Sequence, residues 1–485
     1  MNPQPPRVRC RSLPGLLAAL ALTSCATSPP PQQPDLGLQL PERYRAGDEL
    51  PEGRLAATWW RDFGDPVLDA LVDEALQHNR DLGASAARLE AALTNPTIAG
   101  AGALPQIDAG LDAQRSKRLF LGFPFGAGGV ASSTTTTYGL SLNVRWELDV
   151  WGRLRAGERA AIADAEATAL LYDGARLSLA GQVCKSYFAV VEARQQLALA
   201  EATATSVGQT EADVRDRFRR GLRSALDTHQ AATNLANANA NVAARAEQLQ
   251  RALRQLDLLC GRYPEGLLAG AIELPRALPA VPVGLPSELL RRRPDLVAAE
   301  RQLAAAGCRV DEATAALYPR LSLTASGGTT STQLEDLLDG DFSVFSLGAN
   351  LLQPLFEGGA LRAEVARNEA LQRAALADWQ GAVLTAFTEI ESALAATSAL
   401  DRRRDELVRA ARSATLGRDL ARERWQNGLT DFLAVSDGQR QAFTAESNRI
   451  TAERQRLENR IDLFLALGGG FDADAAATTG TGETP

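Results

Sequence analysis

The sequence predicts an internally duplicated α+β membrane protein, in which each of two repeats contributes two strands and two very long helices. The prediction rests on a repeat, on alternating strand segments and on long proline-free stretches. Gly221 and Gly428 mark the repeat, because they lie 207 residues apart (428 − 221) in matching contexts. Upstream, Asp81 matches Asp295 at an offset of 214 (295 − 81). The seven-residue difference must fall between the two strands of each repeat, so their loops differ in length.

The first 24 residues are typical of a secretory signal. Three arginines precede a short apolar run from Leu13 to Leu22, which is too short to span a bilayer. Leu22-Thr23-Ser24-Cys25 then resembles a lipobox, so we expect cleavage before Cys25 and acylation of that residue. An ordinary secretory signal with an incidental cysteine is the alternative. The Pro/Gln/Ser-rich stretch that follows, to about Pro34, is typical of an extended tether.

Composition narrows the function classes. The net charge is −8, and removal of the signal's three arginines takes it to about −11, which disfavours nucleic acid as a partner. The two histidines are isolated, and the sequence has no phosphate-binding loop, zinc spacing or nucleophile–base–acid arrangement. We therefore predict no enzymatic activity and no cofactor apart from the covalent lipid on Cys25. Cys184, Cys260 and Cys308 are predicted as small core residues, although the periplasm would permit a disulfide between two of them.

Strand candidates come as one pair in each repeat. Apolar and polar residues alternate over about the dozen positions that a tilted membrane strand needs. A soluble sheet with one wet face is the alternative interpretation. Glycine, serine and threonine dominate the segments between the paired strands, which we expect to be exposed hairpin ends. The strand candidates are Ile107 to Gln114, Tyr138 to Asp149, Leu321 to Ala325 and Phe345 to Leu351, and the expected loops are Gly126 to Thr137 and Gly327 to Thr332.

Four strands cannot close a membrane barrel. An open sheet edge in lipid leaves backbone groups unsatisfied, at several kcal/mol each. The smallest barrels use eight strands, and side chains fill them. Two chains would therefore give a filled barrel, whereas three chains would give twelve strands with room for a water channel. We predict that identical copies share one barrel and that the polar strand face lines its lumen.

Two proline-free stretches predict the long helices. They run from about Leu154 to Arg219 and from about Leu361 to Gln426, and roughly 65 residues correspond to a length on the order of 100 Å. Shorter return helices follow, from Ser224 to Leu259 and from Asp431 to Leu467. Apolar residues recur every seven positions along both return helices, which predicts coiled-coil packing. A soluble helical bundle is the alternative, but helices of this length favour an elongated tube.

Short glycine-marked turns join each long helix to its return helix. Glycine adopts the left-handed conformation that ends a helix, which Gly221 and Gly428 would supply. Ser224 and Asp431 are expected to cap the return helices. We call the two turns the first and second tips. They consist of Gly221-Leu222-Arg223-Ser224 and Gly428-Leu429-Thr430-Asp431.

Four motifs stand in order along the chain: Trp59 to Pro66, Arg292 to Glu300, Tyr318 to Leu321 and Phe356 to Arg362. They resemble signatures of the TolC-like outer-membrane factors, in the NodT-type lipoprotein branch of resistance–nodulation–division (RND) efflux systems. The resemblance covers roughly residues 36 to 470. It implies a trimer with a twelve-stranded barrel, continued by a periplasmic helical tunnel. It also implies a mixed α/β equatorial belt drawn from the N-terminal segment, the Tyr263 to Pro286 connection and the C-terminal residues.

The resemblance also implies a periplasmic gate. In that family, acidic residues just past the helix turns narrow the mouth and influence cation passage. Asp227 occupies the first-half position and Asp437 the second-half one, and threefold symmetry would turn each into a ring of three like charges. The alternative for each is a solvated residue favoured at a helix start. Arg217 and Arg424 precede the turns and are candidates to pair with these acids and hold the mouth closed.

The residues and the resemblance together predict a passive, lipid-anchored outer-membrane exit duct. It would be a homotrimer whose tips meet a periplasmic adaptor, and an inner-membrane RND transporter would supply the energy. A same-fold conduit for type I secretion or metal efflux is one alternative, and a non-conducting coiled-coil envelope lipoprotein is another. The predicted division is a signal (1–24), a lipidated tether and belt segment (25–57), a first repeat (58–270), a second repeat (271–470) and a disordered tail (471–485).

Overall fold

The two repeats appear in the same element order in the computed structural model. It describes residues 36, 44–45, 53, 55–120, 131–268, 273–275, 279–282 and 289–470. The predicted signal, the predicted lipid site at Cys25 and the predicted tail lie outside the described residues. All elements given below belong to one compact unit, residues 38–485.

The first repeat opens with a short 3-10 helix, Trp59–Phe63, and continues through two helices, two strands and a long helical hairpin. Its elements are α1 (Pro66–His78), α2 (Arg80–Ala101), β1 (Gln106–Phe120), β2 (Ala131–Leu148), α3 (Arg153–Arg219) and α4 (Ala225–Leu259).

The second repeat has two short 3-10 turns, Glu335–Leu338 and Gly340–Phe342, between its strands. Its elements are α5 (Leu289–Arg292), α6 (Pro294–Ala315), β3 (Arg320–Ser331), β4 (Ser343–Leu352), α7 (Ala360–Gln426) and α8 (Phe432–Ala466).

The helix bounds confirm the duplication. Helices α3 and α7 have 67 residues each, and α4 and α8 have 35 each. Both helices of the second hairpin begin 207 residues after their counterparts, whereas α6 and β3 begin 214 residues after α2 and β1. The offset therefore changes between the paired strands, as the sequence predicted.

The four strands form one antiparallel sheet in the order β1-β2-β3-β4. Register keeps apolar residues on one face: Ile107 lies opposite Val144, and Val144 lies opposite Ala325. Ala325 in turn lies opposite Leu347. Side chains alternate across a strand, so this shared parity gives the sheet one apolar and one polar face.

The strands are longer than the sequence analysis predicted. Residues 131–137 and 327–331, assigned there to exposed hairpin loops, belong to β2 and β3, while residues 126–130 lie outside the described ones. Threonine favours strands, which explains the threonine run of β2. Gly328 is required for a different reason, because a Cβ there would lie 1.9 Å from the carbonyl oxygen of Leu140. The glycine permits close approach of two backbones within the sheet.

Helix α3 packs against α2, α4, α6 and α8, and α7 packs against α6 and α8. An aromatic cluster joins the chain start to this packing, since Trp59 stacks on Phe464 with ring centroids 4.9 Å apart. Phe63 meets Phe188 edge-to-face at 5.0 Å. Among the described residues, no helix is both long and apolar enough to cross a membrane.

The predicted belt segments are described in part. Residues 263–268, 273–275 and 279–282 form neither helix nor strand. In the N-terminal segment, Tyr44 is buried near the Phe387 ring, and the backbone N–H of Arg45 donates to Glu391 at 2.9 Å. This short N-terminal piece therefore lies along α7.

The three cysteines in the described part of the chain, Cys184, Cys260 and Cys308, are free thiols. Cys184 and Cys260 are buried, as the sequence analysis predicted, whereas Cys308 is only half-buried, so its prediction as a core residue was wrong. Burial raises the pKa of the Cys184 thiol far above its usual range and raises the pKa of Cys260 to about 11.

Candidate functional site

Among the described residues, no strand pairs with either edge of the sheet. Strand β1 lies at one edge and β4 at the other, and each bonds to a single neighbouring strand. Along β4 the side chains are exposed throughout, and Phe345 and Leu347 are 84% and 80% exposed. A row of unpaired backbone groups beside exposed apolar side chains can pair with a strand of another chain.

The apolar face of the sheet has the height of a membrane. On β2 it runs from Tyr138 to Leu148, and eleven residues at about 3.3 Å each span about 36 Å along the strand. At a tilt of about 45° that length corresponds to a band about 25 Å tall, the height found in outer-membrane barrels.

Aromatic residues mark the helix-side end of this band. The indole N–H of Trp146 donates to the carbonyl of Ala103 at 2.8 Å, and that of Trp151 donates to Pro319 at 2.8 Å. The Trp151 ring also stacks on Tyr318, with centroids 5.0 Å apart. Tryptophan and tyrosine with satisfied polar groups are typical of the membrane–water interface.

The opposite face is polar and carries paired charges. Arg145 lies 3.4 Å from the carboxylate of Asp108, and the Asn143 amide donates to the same group at 3.3 Å. Ser326 and Ser346 hydroxyls lie 2.8 Å apart on β3 and β4. Such a face suits contact with water, so the two faces of the sheet match lipid on one side and an aqueous lumen on the other.

The two tips have the same helix-ending geometry. At the first tip, Gly221 has φ +74° and donates to Phe218, while Leu222 donates to Arg217 at 2.8 Å. The second tip repeats both bonds from Gly428 (φ +75°) and Leu429. This pair of bonds is the Schellman motif, whose left-handed residue is usually glycine. The sequence prediction of glycine-ended turns is confirmed.

The return helices are capped as predicted, and apolar side chains project around the tips. The Ser224 hydroxyl accepts from the Asp227 N–H at 3.2 Å, and the Asp431 carboxylate accepts from the Ala434 N–H at 3.0 Å. Arg223 and Thr430 are partly exposed. Four leucines in and beside the tips are exposed by 64–68%: Leu222, Leu226, Leu429 and Leu433. Exposed leucines at equivalent positions of both repeats make each tip a candidate protein-binding surface.

Arg217 joins the two tips. Its guanidinium donates to the carbonyls of Trp425 at 3.2 Å and Gln426 at 3.1 Å, and lies 4.2 Å from the centre of the buried Trp425 ring. A cation at the carbonyl end of α7 is favoured by the helix dipole. Its repeat counterpart, Arg424, is exposed. Among the described residues, neither arginine forms an ion pair with Asp227 or Asp437 within the chain, and a pairing between subunits stays a prediction.

The two predicted gate acids have different surroundings. Asp437 accepts hydrogen bonds from Arg440 and, at 2.6 Å, from Gln441, both on its own helix. Asp227 has no side-chain partner among the described residues and is half-buried. Asp227 therefore keeps an uncompensated negative charge within the chain, whereas the charge of Asp437 is partly neutralised. Their roles as gate residues stay predictions.

A buried cluster beneath the tips was missed by the sequence analysis. Trp425 of α7 is fully buried among apolar residues of α3, α4 and α8: Val214, Ala231, Phe432 and Val435. The amide of Gln439 donates to the Thr210 hydroxyl at 3.0 Å, and that of Asn234 donates to Ser436 at 2.8 Å. These contacts bind the two hairpins to each other just below the tips. The available signal was a tryptophan placed directly before the glycine-marked turn, three residues ahead of Gly428.

Arg293, in the segment that opens the second repeat, binds the end of helix α8. It forms ion pairs with Asp295 at 2.7 Å and Glu389 at 2.5 Å, and also donates to the Ala466 carbonyl. In the first repeat Asn79 occupies the equivalent place, and its amide donates to the Leu259 carbonyl at 2.9 Å. Different side chains thus hold the end of each return helix at the same point. Burial lowers the pKa of Arg293, but the hydrogen bonds that its guanidinium donates to the Asp295 and Glu389 carboxylates, together with their charge, outweigh this and raise the pKa overall.

Two comparisons identify relatives of the whole chain. The family described as "Outer membrane efflux protein" matches residues 71–262 and 285–469. The pyoverdine export outer membrane protein OpmQ of Pseudomonas aeruginosa is 34% identical over 469 residues, which cover 94% of this chain and 96% of that protein. The toluene efflux pump outer membrane protein TtgF of Pseudomonas putida is 31% identical and is covered to 96%.

The fold has solved counterparts as well. The open state of the Neisseria gonorrhoeae MtrE outer membrane channel superposes with a TM-score of 0.80 at 29% identity. The match covers 92% of this chain and 98% of that channel. Fold, repeat order and chain length are therefore shared with a known channel across nearly the full chain.

Proposed function

The chain belongs to the outer membrane efflux protein family, and we propose that three copies of it form the exit duct of a tripartite efflux pump. The observation that carries the proposal is the four-stranded sheet with two unpaired edges and one apolar face. In lipid these edges must pair, because each unsatisfied backbone group costs several kcal/mol. Three copies would supply twelve strands and leave an aqueous lumen.

The helices supply the periplasmic part of the duct. A helix of 67 residues is about 100 Å long, several times the thickness of a bilayer. Two long hairpins per copy would give three copies a twelve-helix tunnel ending at the tips. The tip leucines suit an apolar contact with a periplasmic adaptor protein. The relative TtgF is named as the outer membrane protein of an efflux pump, whose other parts would drive transport. We therefore assign the energy input to an inner-membrane RND transporter.

The cargo belongs to the pump rather than to this subunit. Relatives of similar identity are named for pyoverdine export and for toluene efflux, which are chemically unlike cargoes. A wide aqueous tube discriminates little between small molecules. We expect exchange of this subunit between pumps to change compatibility with the adaptor and to leave the substrate range unchanged.

We further propose that acyl chains on Cys25 anchor the mature chain. The basic n-region, the short apolar run and the lipobox-like segment support this. Each buried methylene contributes about 0.8 kcal/mol, so several chains on one residue anchor firmly. Labelling with radioactive palmitate should mark the wild type and not Cys25→Ser. The variant should still form trimers, since the strands supply their own membrane contact. Equal label in both proteins would contradict acylation at this residue.

Conductance in planar bilayers tests the duct. Purified trimer should carry current that favours cations, because a ring of three uncompensated Asp227 carboxylates attracts them. Asp227→Ala together with Asp437→Ala should lower the cation-over-anion permeability ratio. Glu90→Ala is the matched control, since it removes one exposed acid from α2 and should leave selectivity unchanged. Absence of current from pure trimer, with or without the aspartates, would contradict a conducting role.

A further inference from the structure

Two basic residues of β1 lie on the apolar face of the sheet, beyond its last apolar row. Side chains alternate across a strand, and β1 pairs with β2 without interruption from end to end. The odd-numbered residues of β1 therefore all share the face of Ile107 and Leu111, which is the apolar one. Arg115 and Lys117 belong to this series, so they lie on the side that the proposed duct turns toward lipid.

Two threonines of β2 lie beside these basic residues on the same face. Arg115 is opposite Thr136, and Lys117 is opposite Thr134. Directly opposed side chains have Cβ atoms about 4.5–5.5 Å apart, and residues two apart on one strand lie about 7 Å apart. Both basic side chains and Thr134 are exposed, and Thr136 is half-buried. We call these four residues the outer basic patch, in which two cations and two hydroxyls lie within reach of one small anion.

The outer basic patch lies just beyond the apolar band. That band ends on β2 at Tyr138, and Thr136 and Thr134 are the next two positions on the same face. At about 3.3 Å per residue and a tilt of about 45°, they lie about 5 and 9 Å above the edge of the band. The headgroup region on each side of a bilayer's hydrocarbon core is about 5–8 Å thick. The patch therefore lies at the depth of lipid headgroups, in the leaflet away from the helices.

The two cations of the patch have no counter-charge within the chain. Among the described residues, the side chains of Arg115 and Lys117 form neither an ion pair nor a hydrogen bond, whereas Arg145 on the polar face is paired with Asp108. A basic side chain turned toward lipid is costly at the middle of the bilayer and is tolerated near its surface. Uncompensated cations at this depth are complementary in charge to anionic headgroups.

We propose that the outer basic patch binds the phosphate groups of membrane-lipid headgroups, with one site on each chain. The Arg115 guanidinium can donate two parallel hydrogen bonds to a phosphate, and the Lys117 ammonium supplies a second positive charge. The hydroxyls of Thr134 and Thr136 add neutral donors. A lipid is favoured over a free anion, because the apolar band directly beneath the patch contacts the acyl chains of the same molecule. The site rests on the proposed function, since it needs this face of the sheet to lie in a membrane.

Lipid titration followed by native mass spectrometry of the detergent-solubilised protein measures this binding. The probe is lipid A, a glycolipid with two headgroup phosphates, and it is compared with lipid A from which both phosphates have been removed. Arg115→Gln with Lys117→Gln should weaken binding of the phosphorylated lipid roughly 10- to 30-fold and leave binding of the dephosphorylated lipid unchanged. Arg118→Gln with Arg145→Gln is the matched control, because it removes two positive charges from the polar face of the same two strands. It should leave binding of both lipids unchanged.

The outcomes separate the lipid site from the trimer itself. Weaker binding in Arg115→Gln with Lys117→Gln, and not in the control, supports the site. Equal weakening in both variants, or a wild type that does not prefer the phosphorylated lipid, overturns the site and leaves the trimer standing. Displacement of the lipid by an equal concentration of inorganic phosphate indicates a free-anion site and overturns the assignment to lipid. Fewer trimers in Arg115→Gln with Lys117→Gln, with unchanged lipid binding per trimer, assigns the patch to contact between copies and overturns the site as well. A wild type that is not trimeric overturns the proposed function.

Discussion

Arg217 gives the sharpest quantitative prediction, because the repeat supplies its own control. Its guanidinium donates two hydrogen bonds to carbonyls at the end of α7 and lies 4.2 Å from the centre of the Trp425 ring. Hydrogen bonds to a charged group contribute about 1.5–3 kcal/mol, and a partly exposed cation–π contact adds about 0.5–1 kcal/mol. Allowing for solvent at this half-buried site, Arg217→Ala should cost about 2–3 kcal/mol of contact between the tips.

That free energy corresponds to roughly a 30- to 150-fold shift in the balance between joined and separated tips, at about 1.4 kcal/mol per tenfold. Open probability of single channels in planar bilayers should therefore rise strongly in Arg217→Ala. Arg217→Lys should give an intermediate change, because lysine keeps the charge and loses the planar fork. Arg424→Ala removes no hydrogen bond between the two tips of one chain, so it should raise the open probability less than Arg217→Ala does. If Arg217→Ala and Arg424→Ala are indistinguishable, the contact with α7 does not hold the tips and the reasoning is wrong.

Three further predictions concern stability and reactivity. Gly221→Ala should lower the free energy of unfolding in urea by about 1 kcal/mol, because alanine is strained in the left-handed conformation. Gly468→Ala should lower it several times more, because the new Cβ would also lie 1.9 Å from a carbonyl oxygen. Equal losses in the two variants would refute the close approach at Gly468. In native protein at pH 8, a maleimide should label half-buried Cys308 well before Cys260, because the raised pKa of Cys260, about 11, leaves roughly 0.1% of it as thiolate. Below pH 11 the labelling rate of Cys260 should rise about tenfold per pH unit. Prompt labelling of Cys260 at pH 8 would contradict its burial. Arg293→Ala should lower the melting temperature, since it leaves the carboxylates of Asp295 and Glu389 without their partner, and Arg293→Lys should recover part of the loss. An unchanged melting temperature in Arg293→Ala would show that these ion pairs do not stabilise the fold.

The helices were the part of the fold best predicted from sequence. The start of α3 was placed within one residue of Arg153, and its end at Arg219 was correct, because glycine turns and the duplicated pattern fix both ends. Strands β2 and β3 were predicted too short, because the threonine run of β2 and the glycine pair of β3 indicate a loop unless the partner strand is known. Gly328 shows the reason: only its approach to Leu140 requires glycine there.

The contacts at the tips were beyond sequence reasoning. Arg217 and the carbonyls that it binds are 208 and 209 residues apart, so their meeting depends on how two hairpins pack. The sequence analysis paired Arg217 with the nearby carboxylates of Asp227 and Asp437, and no such ion pair forms among the described residues of one chain. Likewise, Asn79 and Arg293 are unlike side chains that hold equivalent helix ends, a match that only coordinates reveal.

Identical copies are proposed to join in one lipid-embedded cylinder. Native mass spectrometry of the detergent-solubilised protein should show a complex of three copies that withstands dilution. A stable single copy that retains its sheet, with no trace of a threefold mass, would contradict it.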